Sequence, residues 1–351
     1  MTRNKRACRR HLLNGSVNHC RTSRAHHARG GGGGSDKAMV RMRNIQSRSA
    51  GILPASTWIE SATRRQVAGA PTTPFRGRAA LALERAAAAR AMLANCHFCA
   101  HHCGVNRLTA AGGLCHAGAE ARFFCAQVEV SDELELIPTF AIALSGCDLR
   151  CDFCITGASS WNTRTGEGLN VAEMAERARS ALDHGARTIM VLGGEPTIYL
   201  HAALELVAAL PDSARLIWKT NAHNSAATRE LLDGMFDVWV ADFKFGNDDC
   251  ARRLAGVPNY GRTVRENLLW ANEHSELIVR HLLMPGHVDC CWRPVVEWLA
   301  ENLPGVKVNL RSGFWPAWHS ARHRELRATV SKAESERAWT IARDYGLNLT
   351  R

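Results

Sequence analysis

Cysteines at fixed spacing are the first residues here that could do chemistry. Cys147, Cys151 and Cys154 form a C-x3-C-x2-C pattern within the run from Ser145 to Cys154. Three thiolates converging from one loop can hold three irons of a [4Fe–4S] cube, whose full ligation takes four cysteines. A missing fourth protein ligand leaves one iron open to a substrate. A zinc site or three unrelated core cysteines are the alternatives. Zinc normally takes a fourth Cys or His at short spacing, and none follows on the C-terminal side.

A second set stands upstream. Cys96, Cys99, Cys103 and Cys115 have the right count for another metal, with His97, His101, His102, His116 and Cys125 close by in sequence. Four cysteines suit either Zn²⁺ or a second Fe–S cluster, in a structural or an electron-transfer role. Cys250, Cys290 and Cys291 fall in or beside helical patterns and read as core packing, the default for buried free cysteine. Cys8 and Cys20 belong to the N-terminal tail and read as binding nothing.

The chain has 351 residues and a net charge of +11. Residues 1–50 carry all of that excess, with 12 Lys and Arg against Asp36 alone; the other 301 residues balance 32 basic against 32 acidic. The body thus gives no reason to expect nucleic acid or another polyanion as partner. Residues 1–50 lack Phe, Trp and Tyr and include the glycine run from Gly30 to Gly34. Such a segment cannot offset its ordering entropy, and a disordered basic tail is expected. Its composition fits a transit peptide, or an extension with the true start near Met39 or Met42. No apolar run reaches the ~18 residues of a spanning helix, and no secretory h-region stands at the N-terminus. A cytoplasmic, non-membrane protein is expected. In a reducing compartment, clustered cysteines point to metal or redox chemistry, not a disulfide framework.

These cysteines need elements to position them. A linker and helix are expected over 51–94, with the helix at Ala79–Leu93, and a Cys-rich module over 95–130. From 131 to 320, strand and helix patterns alternate. The strand-like runs are Phe140–Leu144, Thr188–Leu192, Leu216–Lys219, Val238–Phe243, Leu277–Met284 and Val306–Leu310. Helical patterns lie between them at Val171–His184 (with Asn170 as N-cap), Leu200–Leu210, Ala226–Asp233, Val264–Glu273 and Val295–Asn302. This alternation predicts an α/β fold with parallel strands, a partial (β/α)6 barrel. Its reactive face belongs at the C-terminal ends of the strands. A helical segment is expected over 321–351.

The cysteine loop at the end of the first such strand resembles that of the radical S-adenosylmethionine (SAM) superfamily. Gly193, Gly194, Glu195 and Pro196 follow the second strand and are similar to the family's GGEP element, which holds the SAM amino group. Glycine permits close backbone approach, and a carboxylate can partner an ammonium. The stretches Trp218 to Asn221, Val240 to Lys244 and Val279 to Gly286 follow three further strands. They resemble proteins related to pyruvate formate-lyase activating enzyme, especially an uncharacterised branch of iron–sulfur proteins with an N-terminal Cys-rich element. The resemblance covers roughly residues 95–318.

It implies that Asn221, Asp242 and Lys244 face the methionyl and ribose groups of SAM, and that Arg280 or His281 reaches the same pocket. Read from the residues alone, Asn221 could instead cap the next helix, and Asp242–Lys244 could be an ion pair of small energetic weight. The implied chemistry is reductive cleavage of SAM at the open iron, with an electron from a reductant such as flavodoxin or ferredoxin. The resulting 5′-deoxyadenosyl radical takes hydrogen from a protein, peptide or small-molecule substrate, a protein glycine in the activases. A non-catalytic iron–sulfur or zinc protein, sensing redox state or binding RNA through the basic tail, is the alternative.

Two departures stand out. Lys219 replaces an acidic residue that helps the best-known activases hold a monovalent cation; its ammonium either substitutes for that cation or points to solvent. Gly313, Phe314, Trp315 and Pro316 stand where the branch carries a polar–aromatic pair. Trp161, Trp315 and Trp318 fall in loops near strand ends, suited to stacking on adenine or to ordinary loop packing.

Overall fold

Alanine has the highest helix propensity of any residue, and it dominates residues 78–92. The computed structural model, which describes residues 77–131 and 133–350, places helix α1 (Arg78–Met92) there. Ala82, Ala86 and Ala89 recur at helical spacing and form its buried face. Expectations for the basic tail and for the linker up to residue 76 lie outside the described residues.

The first strand, β1 (Arg122–Glu129), pairs antiparallel with β2 (Thr139–Leu144) and with the two-residue β3 (Glu167–Gly168). β1 falls within the stretch expected as a Cys-rich module, yet it is part of the main sheet. From β2 the pairing is parallel, through β4 (Thr188–Gly193), β5 (Leu216–Thr220), β6 (Val238–Asp242), β7 (Glu276–Leu282) and β8 (Lys307–Arg311) to the short β9 (Asn348–Leu349). Among the described residues the nine strands run in the order β3-β1-β2-β4-β5-β6-β7-β8-β9, an open sheet in the manner of a partial barrel. Its six-strand parallel core, β2 and β4 to β8, coincides with the six runs read from the sequence.

Helices α2 (Ala158–Trp161), α3 (Val171–Asp183), α4 (Leu200–Ala209), α5 (Ala226–Leu232), α6 (Asp248–Ala255), α7 (Tyr260–His274), α8 (Arg293–Asn302) and α9 (Lys332–Asp344) complete the fold. Several start where a side chain accepts an orphan backbone N–H. Asn170 accepts from Glu173 N at 3.2 Å, Ser225 from Thr228 N at 3.2 Å and Asn247 from Cys250 N at 2.8 Å. α6 is not among the helical patterns delimited above, although Cys250 reads as lying in or beside one. Its acidic first turn (Asp248, Asp249) and basic last turn (Arg252, Arg253) complement the helix dipole. The segment expected to be helical over 321–351 holds α9 but ends in β9. Among the described residues, no helix is long and apolar enough to cross a membrane.

Strand alternation sorts the barrel interior into layers. Leu136, Met190, Ile217, Val238, Val240 and Ile278 form an apolar plug, with Leu136 supplied by the β1–β2 connection. Two residues further along β5, β6 and β7, the inward positions are Lys219, Asp242 and Arg280. Charges so placed require partners. Glu133, also from the β1–β2 connection, lies 3.3 Å from Lys219 Nζ and 3.6 Å from Arg280 Nε.

His281, next to Arg280, points the other way. Its Nδ1 is 2.6 Å from the carbonyl of Phe243 and its ring 4.8 Å from Trp292. A carbonyl only accepts, so Nδ1 carries the proton of a neutral ring. Burial depresses its pKa from 6.5 to about 4, against a smaller upward pull from that carbonyl. The unfolded chain therefore takes up a proton in this window that the folded chain refuses. Stability is full above pH 6.5 and is lost as pH falls toward about 4, by an amount on the order of 3 kcal/mol. His281→Gln keeps a donor for Phe243 and cannot titrate. In anaerobic urea unfolding, it should lose less stability than the parent between about pH 7 and 4.5; parallel pH profiles would refute the assignment.

Candidate functional site

β2 ends at Leu144, and the chain turns into the cysteine loop. Cys147, Cys151 and Cys154 all open onto one cavity of about 680 Å³ at the C-terminal ends of the strands. Small-molecule sites occupy roughly 300–1,000 Å³. Burial pushes the Cys147 thiol well above its ordinary pKa and Cys151 up to about 12, although Lys244 pulls Cys151 back down. Lone thiolates are thus disfavoured there, and the loop suits cationic ligands that displace the protons. Among the described residues, neither these three sulfurs nor those of Cys96, Cys99, Cys103 and Cys115 gather three ligand atoms within 4.8 Å. Sulfurs around a single tetrahedral zinc stand roughly 3.8 Å apart, given bonds of about 2.3 Å. The wider spread in the loop fits a polynuclear iron–sulfur centre better than one zinc ion.

The turn after β4 lies directly on the start of this loop. A Cβ on Gly193 would sit 2.2 Å from the Leu144 carbonyl oxygen, and one on Gly194 1.9 Å from that of Gly146. Only glycine permits this approach. It lets Gly194 N donate to Leu144 O at 2.9 Å and Glu195 N to Gly146 O at 2.9 Å. Pro196 opens a buried 3-10 turn and does not line the cavity.

Glu195 borders the cavity, but its carboxylate is engaged internally. Oε1 accepts from Thr197 N (3.0 Å), Thr197 Oγ1 (2.6 Å) and Thr220 Oγ1 (2.8 Å), and Oε2 from Asn221 N (2.7 Å). Burial, reinforced by Asp148, raises its pKa to about 7 against the pull of these donors. The carboxylate laces the β4 turn to the end of β5.

Asn221 is not a helix cap; Ser225 has that role. Asn221 lines the cavity and donates through Nδ2 to Asp148 Oδ1 at 2.7 Å, while its Oδ1 accepts from His223 N at 2.9 Å. His223 Nδ1 lies 2.8 Å from Asp148 Oδ2. Burial alone would raise the Asp148 pKa, but His223 and Asn221 more than offset it and hold it below the usual carboxylate value. His101 completes a group of ligand-type atoms within 4.8 Å, with its Nε2 3.0 Å from the Asp148 carbonyl. Asp148 and His223 were missed in the sequence. One occupies a variable position of the cysteine motif, and the other gives no spacing signal.

Asp242 and Arg280 face each other across the β6–β7 pairing, and Lys244 Nζ hydrogen-bonds Asp242 Oδ2. All three line the cavity. Burial pushes Asp242 up, but Lys244 and then Arg280 bring it below its usual range; Lys244 is raised, with Asp242 and Cys151 outweighing its desolvation. Of the pair Arg280 and His281, the cavity therefore receives Arg280, while His281 is buried outside it. Lys219 also lines the cavity and is only 8% exposed, so it does not point to solvent. Trp161 and Trp315 line the cavity as well, whereas Trp318 packs edge-on against Trp161 at 5.7 Å.

The N-terminal cysteines dock on the loop between β5 and α5. Cys99 bridges to Asn224, Ala100 N donates to His223 O at 2.9 Å, and Ser225 N donates to Phe98 O at 2.9 Å. Cys96, Cys99 and Cys115 are buried and Cys103 is exposed. The buried Arg107 places Nη1 3.7 Å from Cys96 Sγ and stacks on Phe98 and Tyr199. Cys250 and Cys291 are buried in the core, as expected, whereas Cys290 is exposed; with His287 the three also gather four ligand atoms within 4.8 Å. The short His287-x2-Cys290-Cys291 spacing was the available signal.

Gly194→Ala should leave the barrel folded but displace the cysteine loop. Iron and sulfide bound per chain after anaerobic reconstitution should fall well below the parent; undiminished loading would show that the close approach is dispensable.

The family model of the radical SAM superfamily matches residues 142–299. An uncharacterised protein of Methanocaldococcus jannaschii is 31% identical over 267 residues, covering 74% of this chain and 78% of that protein. The 7-carboxy-7-deazaguanine synthase of Prochlorococcus marinus is 33% identical over 92 residues, 26% of this chain and 36% of that enzyme. Among solved structures, Streptococcus suis SuiB bound to S-adenosylmethionine is 20% identical with a TM-score of 0.46, covering 58% of this chain and 47% of that one. The chain thus spans less than half the length of that structure. The family match, and a relative aligned over most of both chains, establish that this chain belongs to the radical SAM superfamily and is a radical SAM enzyme.

Proposed function

We propose that Cys147, Cys151 and Cys154 hold a [4Fe–4S] cluster, that the adjoining cavity takes SAM, and that a protein or peptide segment is the substrate. One observation carries the reading: the three thiols, the Gly193–Gly194 turn and the Asp242, Lys244 and Arg280 side chains line a single cavity. A [4Fe–4S] cluster held by these three thiols, once reduced by flavodoxin or ferredoxin, would supply the electron for reductive cleavage of SAM. The chain's own residues bind and orient. Gly193 and Gly194 present backbone to the SAM amino group, since the Glu195 carboxylate is already engaged. Lys244 and Arg280 answer the SAM carboxylate, Asp242 accepts from ribose hydroxyls, and Asn221 holds the cysteine loop through Asp148. Pro196 fixes the turn from behind.

The substrate reading draws on the cavity mouth. Trp315, 60% exposed, and Ile155, 44% exposed, offer apolar surface there for a polypeptide. A glycyl residue is the target by resemblance to the activases, with flavodoxin or ferredoxin as reductant. A small polar substrate is a second reading, favoured by Lys219 and Arg280 in the cavity wall and by the short similarity to 7-carboxy-7-deazaguanine synthase. Cys96, Cys99, Cys103 and Cys115 are proposed to hold a second metal, zinc or an Fe–S cluster.

Cys151→Ala should abolish 5′-deoxyadenosine formation from SAM in reconstituted, reduced protein; retained cleavage would sink the assignment. Lys219 supplies positive charge where activases bind a monovalent cation. The parent enzyme should therefore show the same SAM affinity with K⁺, Na⁺ or a bulky organic cation; a clear dependence on K⁺ or Na⁺ would count against that role.

A further inference from the structure

Outside the SAM cavity, two loops bring cysteines together from distant parts of the chain. Cys250 lies on the first turn of α6. His287, Cys290 and Cys291 lie on or beside the π-helical turn Val288–Trp292 that leads into α8. Their four ligand atoms all fall within 4.8 Å of one another. Cys290 Sγ is 3.9 Å from Cys250 Sγ and 3.9 Å from Cys291 Sγ, and all three cysteines are free. We propose that Cys250, His287, Cys290 and Cys291 form a tetrahedral structural site for Zn²⁺, which fastens the β6–α6 loop to the β7–α8 turn.

The chemistry matches the ion. A Cys₃His set is one of the usual structural zinc sets, and bonds of about 2.3 Å put tetrahedral sulfurs roughly 3.8 Å apart. Neighbouring residues on a regular α-helix diverge by about 100°. Cys290 and Cys291 nonetheless bring their sulfurs to 3.9 Å on a π-helical turn, a distortion frequent at functional sites. His287 Nδ1 donates to the Pro285 carbonyl at 2.9 Å, which fixes the tautomer and leaves Nε2 with the lone pair. That nitrogen accepts from Arg253 Nη2 at 3.3 Å, and the guanidinium, also held by Glu325, must yield to the ion. Asn247 Nδ2 donates to Cys250 Sγ at 3.4 Å and approaches Cys291 Sγ at 3.9 Å, the outer contacts that disperse thiolate charge. Three thiolates with Zn²⁺ leave one negative charge, and Arg253 stands beside it.

The site bears on the SAM cavity through short links. A Cβ on Gly246 would lie 2.3 Å from Cys291 O, so the loop just after Lys244 sits directly on the proposed zinc turn. At the far end of α6, the Leu254 and Ala255 carbonyls accept from Asp152 N (2.9 Å) and Arg150 N (3.0 Å) in the cysteine loop.

The test is zinc and iron content of the full-length protein, purified anaerobically from zinc-supplemented cells, with zinc-edge X-ray absorption. The parent should show zinc bound by both sulfur and imidazole, three sulfurs per nitrogen if Cys96, Cys99, Cys103 and Cys115 hold iron and seven per nitrogen if they hold zinc as well. Cys290→Ser, at the most exposed of the four ligands, should lose about one zinc per chain while iron at the cysteine loop is unchanged. His287→Gln should remove the imidazole signal. Should either variant fail to fold, the parent's shell decides: an all-sulfur shell, or no zinc, overturns the site. Equal zinc in the parent and a folded Cys290→Ser overturns it too. So does alkylation mass spectrometry that finds a disulfide among Cys250, Cys290 and Cys291 in the anaerobic protein, since the thiols would then be a redox pair.

Discussion

A buried carboxylate must be paired, and Asp148 is satisfied only where three separate segments meet. Its oxygens take Asn221 and His223 from the end of β5, and its carbonyl takes His101 from the N-terminal cysteine segment. Breaking a buried pair of this kind typically costs about 3–5 kcal/mol, because the remaining charge is left without compensation. Asp148 follows Cys147 directly, so the same requirement fixes the cysteine loop against the barrel. It also explains why the upstream cysteine segment docks where it does: His101 reaches Asp148 only if Phe98 and Ala100 bond to the loop around His223 and Ser225.

The barrel interior follows from alternation on strands that have a core on both faces. Positions one pleat apart on β5, β6 and β7 change from Ile217, Val240 and Ile278 to Lys219, Asp242 and Arg280, dividing a dry floor from a charged wall. Glu133 makes the change tolerable. It enters from the β1–β2 connection, beside the Leu136 that plugs the floor, and faces both cations. A single short segment thus closes the barrel at one end and balances charge near the other.

The parallel core was legible because buried strands read as apolar runs between capped helices, and Asn170 and Asn221 differ as caps for a local reason. Asn170 precedes its helix directly, while Ser225 stands closer to α5 and takes the capping role from Asn221. The cysteine loop was legible by spacing alone, and the glycines after β4 by type. β1 was hidden among cysteine and histidine signals, and its mixed burial gives no clean alternation. Arg280 could have been preferred over His281 by counting pleats from Ile278. The role of Glu195 was not readable, since its donors come from Thr220 and Asn221 at another strand end. The Cys250–His287–Cys290–Cys291 group was half legible: the His287-x2-Cys290-Cys291 spacing is local, while Cys250 joins it only through α6 and a π-helical turn that no local propensity announces.

The cysteine loop is held in place by contacts that require no metal. Gly194 and Glu195 bond to its first carbonyls, Asp148 anchors its middle, and the end of α6 receives the N–H groups of Arg150 and Asp152. Burial meanwhile keeps Cys147 and Cys151 protonated until a cation arrives. These hydrogen bonds bear part of the ordering cost of the loop, and cation binding must displace the thiol protons. Positions so fixed hold all three thiols at the wall of one cavity. At the cavity mouth, by contrast, Trp315 and Ile155 stay exposed among the described residues.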